Sequence, residues 1–414
     1  HNKKMACIVS RFKVLYLSFL FVVVASLPSA TALPKVFNVR HYGAINDGKT
    51  DNAKVFTNVW KRACLRRSGH SIIYIPRGTF YLGGVQFVGP CINKMEFVIN
   101  GILLAPANPK EIKQKIWINF RYIENLSISG KGTLDGQGKK SWPLNDCYKN
   151  PNCFQFAMSM GFSFVNNSNI KGITSLNSKM GHFNLFSVHY FNITGVTIRA
   201  PGNSPNTDGI KMSLSSNIRI SNTRIGTGDD CIAILAGTSN IDISKVNCGP
   251  GHGISVGSLG SNKYEKDVHG LTVKDSVFNG TSDGIRIKTW ESSASKILVS
   301  NFIYKNIQMI DVEKPINIDQ KYCPYPPCKK KGNSNVQIQD LELNNIFGTS
   351  TTKAAVSLQC SKSTPCKNIN LIDISLKHNG PRKNGPATAV CMNVNGSARG
   401  KMVPRHCPGF NRLD

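Results

Sequence analysis

Short segments in which apolar and polar residues alternate punctuate most of this 414-residue chain. Four of them open on asparagine: Asn169-Ile-Lys-Gly-Ile-Thr, Asn192-Ile-Thr-Gly-Val-Thr, Asn217-Ile-Arg-Ile and Asn240-Ile-Asp-Ile, with starts 23, 25 and 23 residues apart. Period-two alternation with β-branched apolar residues marks half-buried strands, and a degenerate repeat of this length predicts one coil of a parallel β-helix per repeat. The pattern continues with longer steps at Leu271-Thr-Val, Ile297-Leu-Val, Val336-Gln-Ile-Gln and Ile369-Asn-Leu, the added residues falling in loops on one flank. One stretch changes period. Between 51 and 67, Ala53, Val55, Phe56, Val59, Trp60 and Ala63 recur at helical spacing behind Asp51, a good N-cap residue. A solenoid leaves its first coil unpaired, so this helix is expected to cap it. From Pro381 the chain turns basic and loop-like.

Composition agrees with an all-β solenoid. Charged residues are only 18% of the chain, 40% is apolar, and no shift divides it, which predicts a single domain over 33–414. Residues 1–32 carry Lys3, Lys4, Arg11 and Lys13, an apolar run from Val14 to Leu27 and the small residues Ala30-Thr31-Ala32, the pattern of a secretory signal that is removed. The run is shorter than the roughly 20 residues of a membrane span, so no membrane association is expected afterwards. Twelve of the 13 cysteines lie beyond this segment, an even number suited to an oxidising compartment. Spacing does not fix their pairing, but suggests local staples at Cys147/Cys153, Cys323/Cys328 and Cys360/Cys366, with Cys64/Cys91, Cys231/Cys248 and Cys391/Cys407 completing six. A zinc site lacks its usual CxxC or His/Cys spacing. Sequons stand at Asn125, Asn166, Asn192, Asn279 and Asn395. The net charge of +28 falls to +24 once the four basic residues of the leader are lost. That surface attracts polyanions. No nucleic-acid-binding motif is present, and an acidic glycan of the extracellular matrix or wall fits an exported chain better; plain solubility is the alternative use of the charge.

Three polar motifs fall in step with the repeat: Asn206-Thr207-Asp208, Gly228-Asp229-Asp230 and Gly251-His252-Gly253. Asp208 to Asp230 and Asp230 to His252 are each 22 residues, which stacks them about 4.8 Å apart on successive coils. Neighbouring strand residues point to opposite faces, so Asp229 and Asp230 share a cleft only where the chain bends, as Gly226 and Gly228 permit. Carboxylates this close repel, raising the pKa of at least one and retaining a proton for acid catalysis. A lone Asp-Asp pair is commonly a surface turn, and clustered carboxylates also suit calcium. Against both stands Arg286-Ile287-Lys288, whose two cations share one strand face and are suited to grip a uronate carboxylate.

These four motifs, in this order and spacing, resemble the signature of the polygalacturonases, pectin-degrading glycoside hydrolases with a right-handed parallel β-helix. The likeness runs from about 36 to 379 and includes Gly130-Lys-Gly-Thr-Leu-Asp-Gly-Gln-Gly138, Ser175-Leu-Asn-Ser178 and Ile318-Asp-Gln-Lys-Tyr-Cys323. It implies that Asp229 protonates the glycosidic oxygen while Asp208 and Asp230 activate water for single displacement with inversion. It further implies that His252 supports the acid, that Arg286, Lys288 and Tyr322 bind substrate with Asn206 positioning neighbours, and that neither metal nor organic cofactor is needed. The implied partner is homogalacturonan, and the implied state an extracellular monomer. Trp142-Pro-Leu-Asn-Asp-Cys147 and Ser204-Pro-Asn-Thr-Asp208 are similar to the exo-acting pollen-type plant enzymes. Ala233-Ile-Leu-Ala after Cys231-Ile232, Glu291 after Trp290, and Asp283 depart from the family pattern and bear on substrate affinity. A weak pectin-binding relative, an endo-acting enzyme and a calcium-dependent pectate lyase are the rival readings.

Overall fold

The computed structural model describes residues 33–413 except 148, 151, 325–327, 329–331 and 381–384. The expected leader, residues 1–32, lies outside the described residues. Among those described, 29 strands join edge to edge in one continuous sheet that coils as a right-handed parallel β-helix. Every named strand pair is parallel, as in the ladder Ile210↔Ile232↔Ile254↔Ile285↔Ile316↔Val356, in which each side chain is at most 2% exposed. The two-residue period explains the core. Met212, Ile234, Val256, Ile287, Ile318 and Leu358 form a second buried stack two positions on, and the residues between the stacks face outward.

The coils turn at corners built from asparagine and aspartate. Asn217, Asn240, Asn301, Asp340 and Asn368 occupy equivalent positions with φ between 51° and 61°, a left-handed conformation that these short polar side chains tolerate better than most. Asn368 donates to Asp340 Oδ1 across one step (2.7 Å). The same register corrects one step of the repeat: Asn192 pairs with Arg219 instead of Asn217, and the left-handed residue on Asn217's column is Tyr190 (φ 56°). That coil is 27 residues long, so the 25-residue interval joined two different positions of successive coils.

The capping helix spans Ala53–Cys64, with Asn52 at the N-cap position and Asp51 one residue outside it. The carboxylate of Asp51, the residue expected at the cap, accepts from the Ala53 and Gly83 amides (2.9 and 2.8 Å), tying helix entry to the first coil. The apolar face of the helix covers that coil's end, where Trp60 packs on Phe87 and Phe120 and donates to the Val88 carbonyl. All six suggested disulfides are formed. Among the described residues no helix is long and apolar enough to cross a membrane.

Candidate active site

Three successive coils send a loop from the same corner. Residues 200–209 precede strand Ile210–Ser213, 227–231 precede Ile232–Ile234, and 249–253 precede Ile254–Leu259. Asp208, Asp230 and His252 each stand two residues before the register-equivalent isoleucines Ile210, Ile232 and Ile254, which is the column anticipated from the 22-residue spacing. The bend that turns Asp229 toward the same cleft depends on Gly228. A Cβ there would sit 2.0 Å from the Ser204 carbonyl oxygen, a contact that no side chain relieves. Beneath the loops, Cys231–Cys248 ties two adjacent coils.

Asp229 meets three hydrogen-bonding partners. Its Oδ1 meets His252 Nδ1 at 3.0 Å and the Asp230 amide at 2.8 Å, while Asn206 Nδ2 lies 3.4 Å from Oδ2. Burial works to raise its pKa, but the hydrogen bond and charge of His252, together with Lys288, outweigh burial and hold it down at about 2. His252 is correspondingly raised, first by its hydrogen bond to Asp229. Asp208 goes the other way. It is buried, faces Asp229 and Asp230 as like charges, and is pushed up to about 7, burial being the larger cause. The acid whose pKa is raised is therefore Asp208, whereas Asp229 is held low and ionised in the free site.

Asp230 is clamped by cations and a hydroxyl. Lys288 Nζ donates to Oδ2 (2.8 Å), Ser255 Oγ donates to Oδ1 (2.6 Å), and Arg286 approaches Oδ1 to 3.8 Å. Tyr322 lies against both cations, 5.7 Å from the Arg286 guanidinium carbon and 5.5 Å from Lys288 Nζ. Arg286 Nε is buried with no acceptor among the described residues. Asp283 belongs to the same construction: it is 3.6 Å from Arg286 and accepts from Asn317 Nδ2 (2.7 Å), so it orients the guanidinium from below. Six of the eight residues expected at the site, Asn206, Asp208, Asp229, Asp230, Lys288 and Tyr322, line one cleft of about 560 Å³, and the other two join it through contacts, His252 with Asp229 and Arg286 with Asp230.

The ligand atoms of Asp229, Asp230 and His252 lie within 4.8 Å of one another, close enough to hold a cation. Lys288 and Arg286 already supply positive charge to Asp230 there, which makes the donor set a poor fit for calcium. Sequence reasoning passed over Ser255, Asn317 and Lys211, whose Nζ lies 3.4 Å from Asp208 Oδ2. Register was the signal that would have found them: Lys211, Ser255, Arg286 and Asn317 share one outward column with Ala233. It also missed Asn145, two residues before the Cys147–Cys153 staple, which donates to Asn206 Oδ1 (3.2 Å).

The model of glycosyl hydrolases family 28 matches residues 65–402. The chain belongs to that family. Within family 28, it is 44% identical to an exopolygalacturonase of Platanus acerifolia over 89% of this chain and 97% of that one, and 42% identical to an exopolygalacturonase of Zea mays over 97% and 100%. Solved structures share the fold at lower identity. The family 28 exopolygalacturonase of Yersinia enterocolitica matches at 20% identity with a TM-score of 0.71, covering 92% of this chain and 77% of that one. The endo-xylogalacturonan hydrolase of Aspergillus tubingensis matches at 17% and 0.72, covering 92% and 100%. As a family 28 protein the chain is a glycoside hydrolase.

Proposed function

We propose that this protein is an exopolygalacturonase that hydrolyses α-1,4-galacturonosyl linkages of polygalacturonate with inversion, releasing galacturonic acid from chain ends. The observation that carries this reading is a cleft lined by Asp208, Asp229, Asp230 and Lys288, with His252 against Asp229 and Arg286 against Asp230. The cations recognise a uronate and the acids work on its glycosidic oxygen and on water. Exo action is supported by the names of the plant relatives. It is also supported by Asn145, two residues before the Cys147–Cys153 staple, which donates to Asn206 beside Asp229.

Asp229 serves as the acid in this reading, although it is ionised in the free site. Bound sugar removes water from Asp229, strengthening the burial that already opposes its charge, and His252 at 3.0 Å passes its proton across the existing hydrogen bond. Of the two remaining carboxylates, Asp230 has both oxygens engaged, whereas Asp208 meets only Lys211 at 3.4 Å. Asp208 is accordingly the principal base toward water, and Asp230 fixes the substrate-binding cations. The six disulfides and the N-terminal pattern of residues 1–32 support export of a single catalytic domain, 33–414, to the cell wall.

Incubation with polygalacturonate in the presence of chelator tests the reading. Galacturonic acid as sole product from the earliest times is expected. Mixed oligomers with rapid loss of viscosity would establish endo action instead, and absorbance from unsaturated ends would overturn the hydrolase assignment. Asp229→Asn should lower turnover by roughly 10²–10⁴-fold with substrate binding largely kept, as judged by calorimetric titration with oligogalacturonate.

A further inference from the structure

Resting on the hydrolase reading above, we infer that Lys211 is a second uronate-gripping cation on the opposite side of the acids from Arg286 and Lys288, and that it also positions Asp208. The cleft then reads a free carboxylate on each side of the bond it cuts.

Direction comes first. Lys211 stands between Ile210 and Met212, both fully buried, so alternation turns it outward into the cleft, which it lines together with Asp208, Ala233 and Lys288. Its distance from the other cations follows from register. Lys211, Ala233, Ser255 and Arg286 are successive rungs, so three strand spacings, about 14 Å, separate Lys211 from Arg286. Asp229 and Asp230 belong to the Ala233 coil between these ends, and Asp208 stands on the Lys211 coil itself. The rung beside Lys211 is only a methyl group, Ala233, which leaves the floor of the cleft open along this line. A sugar on either side of the acids would meet a cation at each end.

Lys288 is committed to Asp230 at 2.8 Å, but the Lys211 ammonium has three donors and meets a single acceptor among the described residues, Asp208 Oδ2 at 3.4 Å. Its side chain is 32% exposed, whereas that of Asp208 is 12% exposed. Lys211 thus retains hydrogen-bonding capacity toward the open cleft while its charge faces a buried carboxylate. Asp208 is also faced by Asp229 and Asp230, which oppose its ionisation, and by Lys288, which favours it alongside Lys211. His252, a further charged group of the cluster, is bound to Asp229. Loss of Lys211 would therefore leave Asp208 with its repulsive neighbours and one distant, already paired cation.

Lys211→Met and Lys211→Arg separate this role from simple support of the fold. With oligogalacturonates, Lys211→Met is expected to raise KM roughly tenfold, to displace the acidic limb of the kcat profile to higher pH, and to narrow the preference for free over partly methyl-esterified pectin in kcat/KM. Lys211→Arg should restore all three. Lys211→Gln, which keeps length and polarity, provides the same comparison if the methionine variant does not fold. An unchanged KM, ester preference and acidic limb in a folded neutral variant would overturn the inference. Wild-type protein that releases no galacturonic acid would instead defeat the underlying hydrolase reading, so the two failures are distinguishable.

Discussion

The acids of the site place opposite demands on stability and chemistry, and the sign of each can be worked out. Asp208 is raised to about 7 from an ordinary value of 3.8, chiefly by burial. The folded protein therefore holds a proton there that the unfolded chain has lost, and this contribution to stability declines as pH rises from about 4 to 7. Asp208→Asn is expected to unfold at higher temperature than wild type at pH 8, with the advantage shrinking at pH 4, while turnover is lost. A variant no more stable than wild type at pH 8 would show that burial of Asp208 is not a cost. Asp229 has the reverse sense, while its partner His252 has the same sense as Asp208. Asp229 is lowered, so its contribution is present above its ordinary pKa and lost as pH falls toward about 2; His252 is raised, so its contribution is full below about 6.5 and lost as pH climbs through its elevated value. Lys288 is a third case. Its ammonium and the Asp230 carboxylate are both buried, and removing one member of such a pair typically costs about 3–5 kcal/mol. Lys288→Met should show that loss in urea unfolding, with Asp230→Asn in the same chain recovering part of it.

At the scale of elements, the capping helix and the stacked coils answer to the same hydrophobic logic. Trp60 is 2% exposed and closes the end of a column in which Phe87, Phe97, Phe120 and Phe162 pack ring against ring. Trp60→Ala should cost about 3–5 kcal/mol, read by denaturant unfolding, and should promote association through the uncovered coil, read by light scattering; a loss below 1 kcal/mol would mean that the helix is incidental to the solenoid. Why the coils were legible before the structure follows from the same packing. Each inward position must be apolar whatever its neighbours do, so Ile218, Ile220, Ile241 and Ile243 print their burial directly on the sequence. The asparagine corners were harder. Asn192 and Asn217 look equivalent, but only register with neighbouring strands shows that they stand at different points of their coils. Asn52 and Asp51 are both capable caps one residue apart, so propensity alone could not choose between them. Lys211 escaped notice for a related reason: outside any motif, a lysine acquires meaning only when three more rungs are known to lead to Arg286.

Across the whole molecule, the site and the surface share one sign of charge. The chain carries a formal +28, and its catalytic acids are internally compensated: Lys211 faces Asp208, His252 faces Asp229, and Lys288 and Arg286 face Asp230. A polyanion approaching the cleft therefore meets an attractive field at long range and cations again at contact. These two contributions respond differently to salt. The field of the exposed surface is screened as the Debye length falls from about 30 Å at 0.01 M to about 8 Å at 0.15 M, while buried or half-buried pairs are screened much less. Association of long polygalacturonate is consequently expected to weaken roughly tenfold over that range, raising KM with little change in kcat. A short oligogalacturonate that fills only the cleft should show a smaller rise, because fewer surface cations act on it. Initial rates for both substrates across a sodium chloride series check this: equal salt dependence of the two KM values would confine the useful charge to the cleft, and a salt-dependent kcat would place the screened charges among the acids themselves.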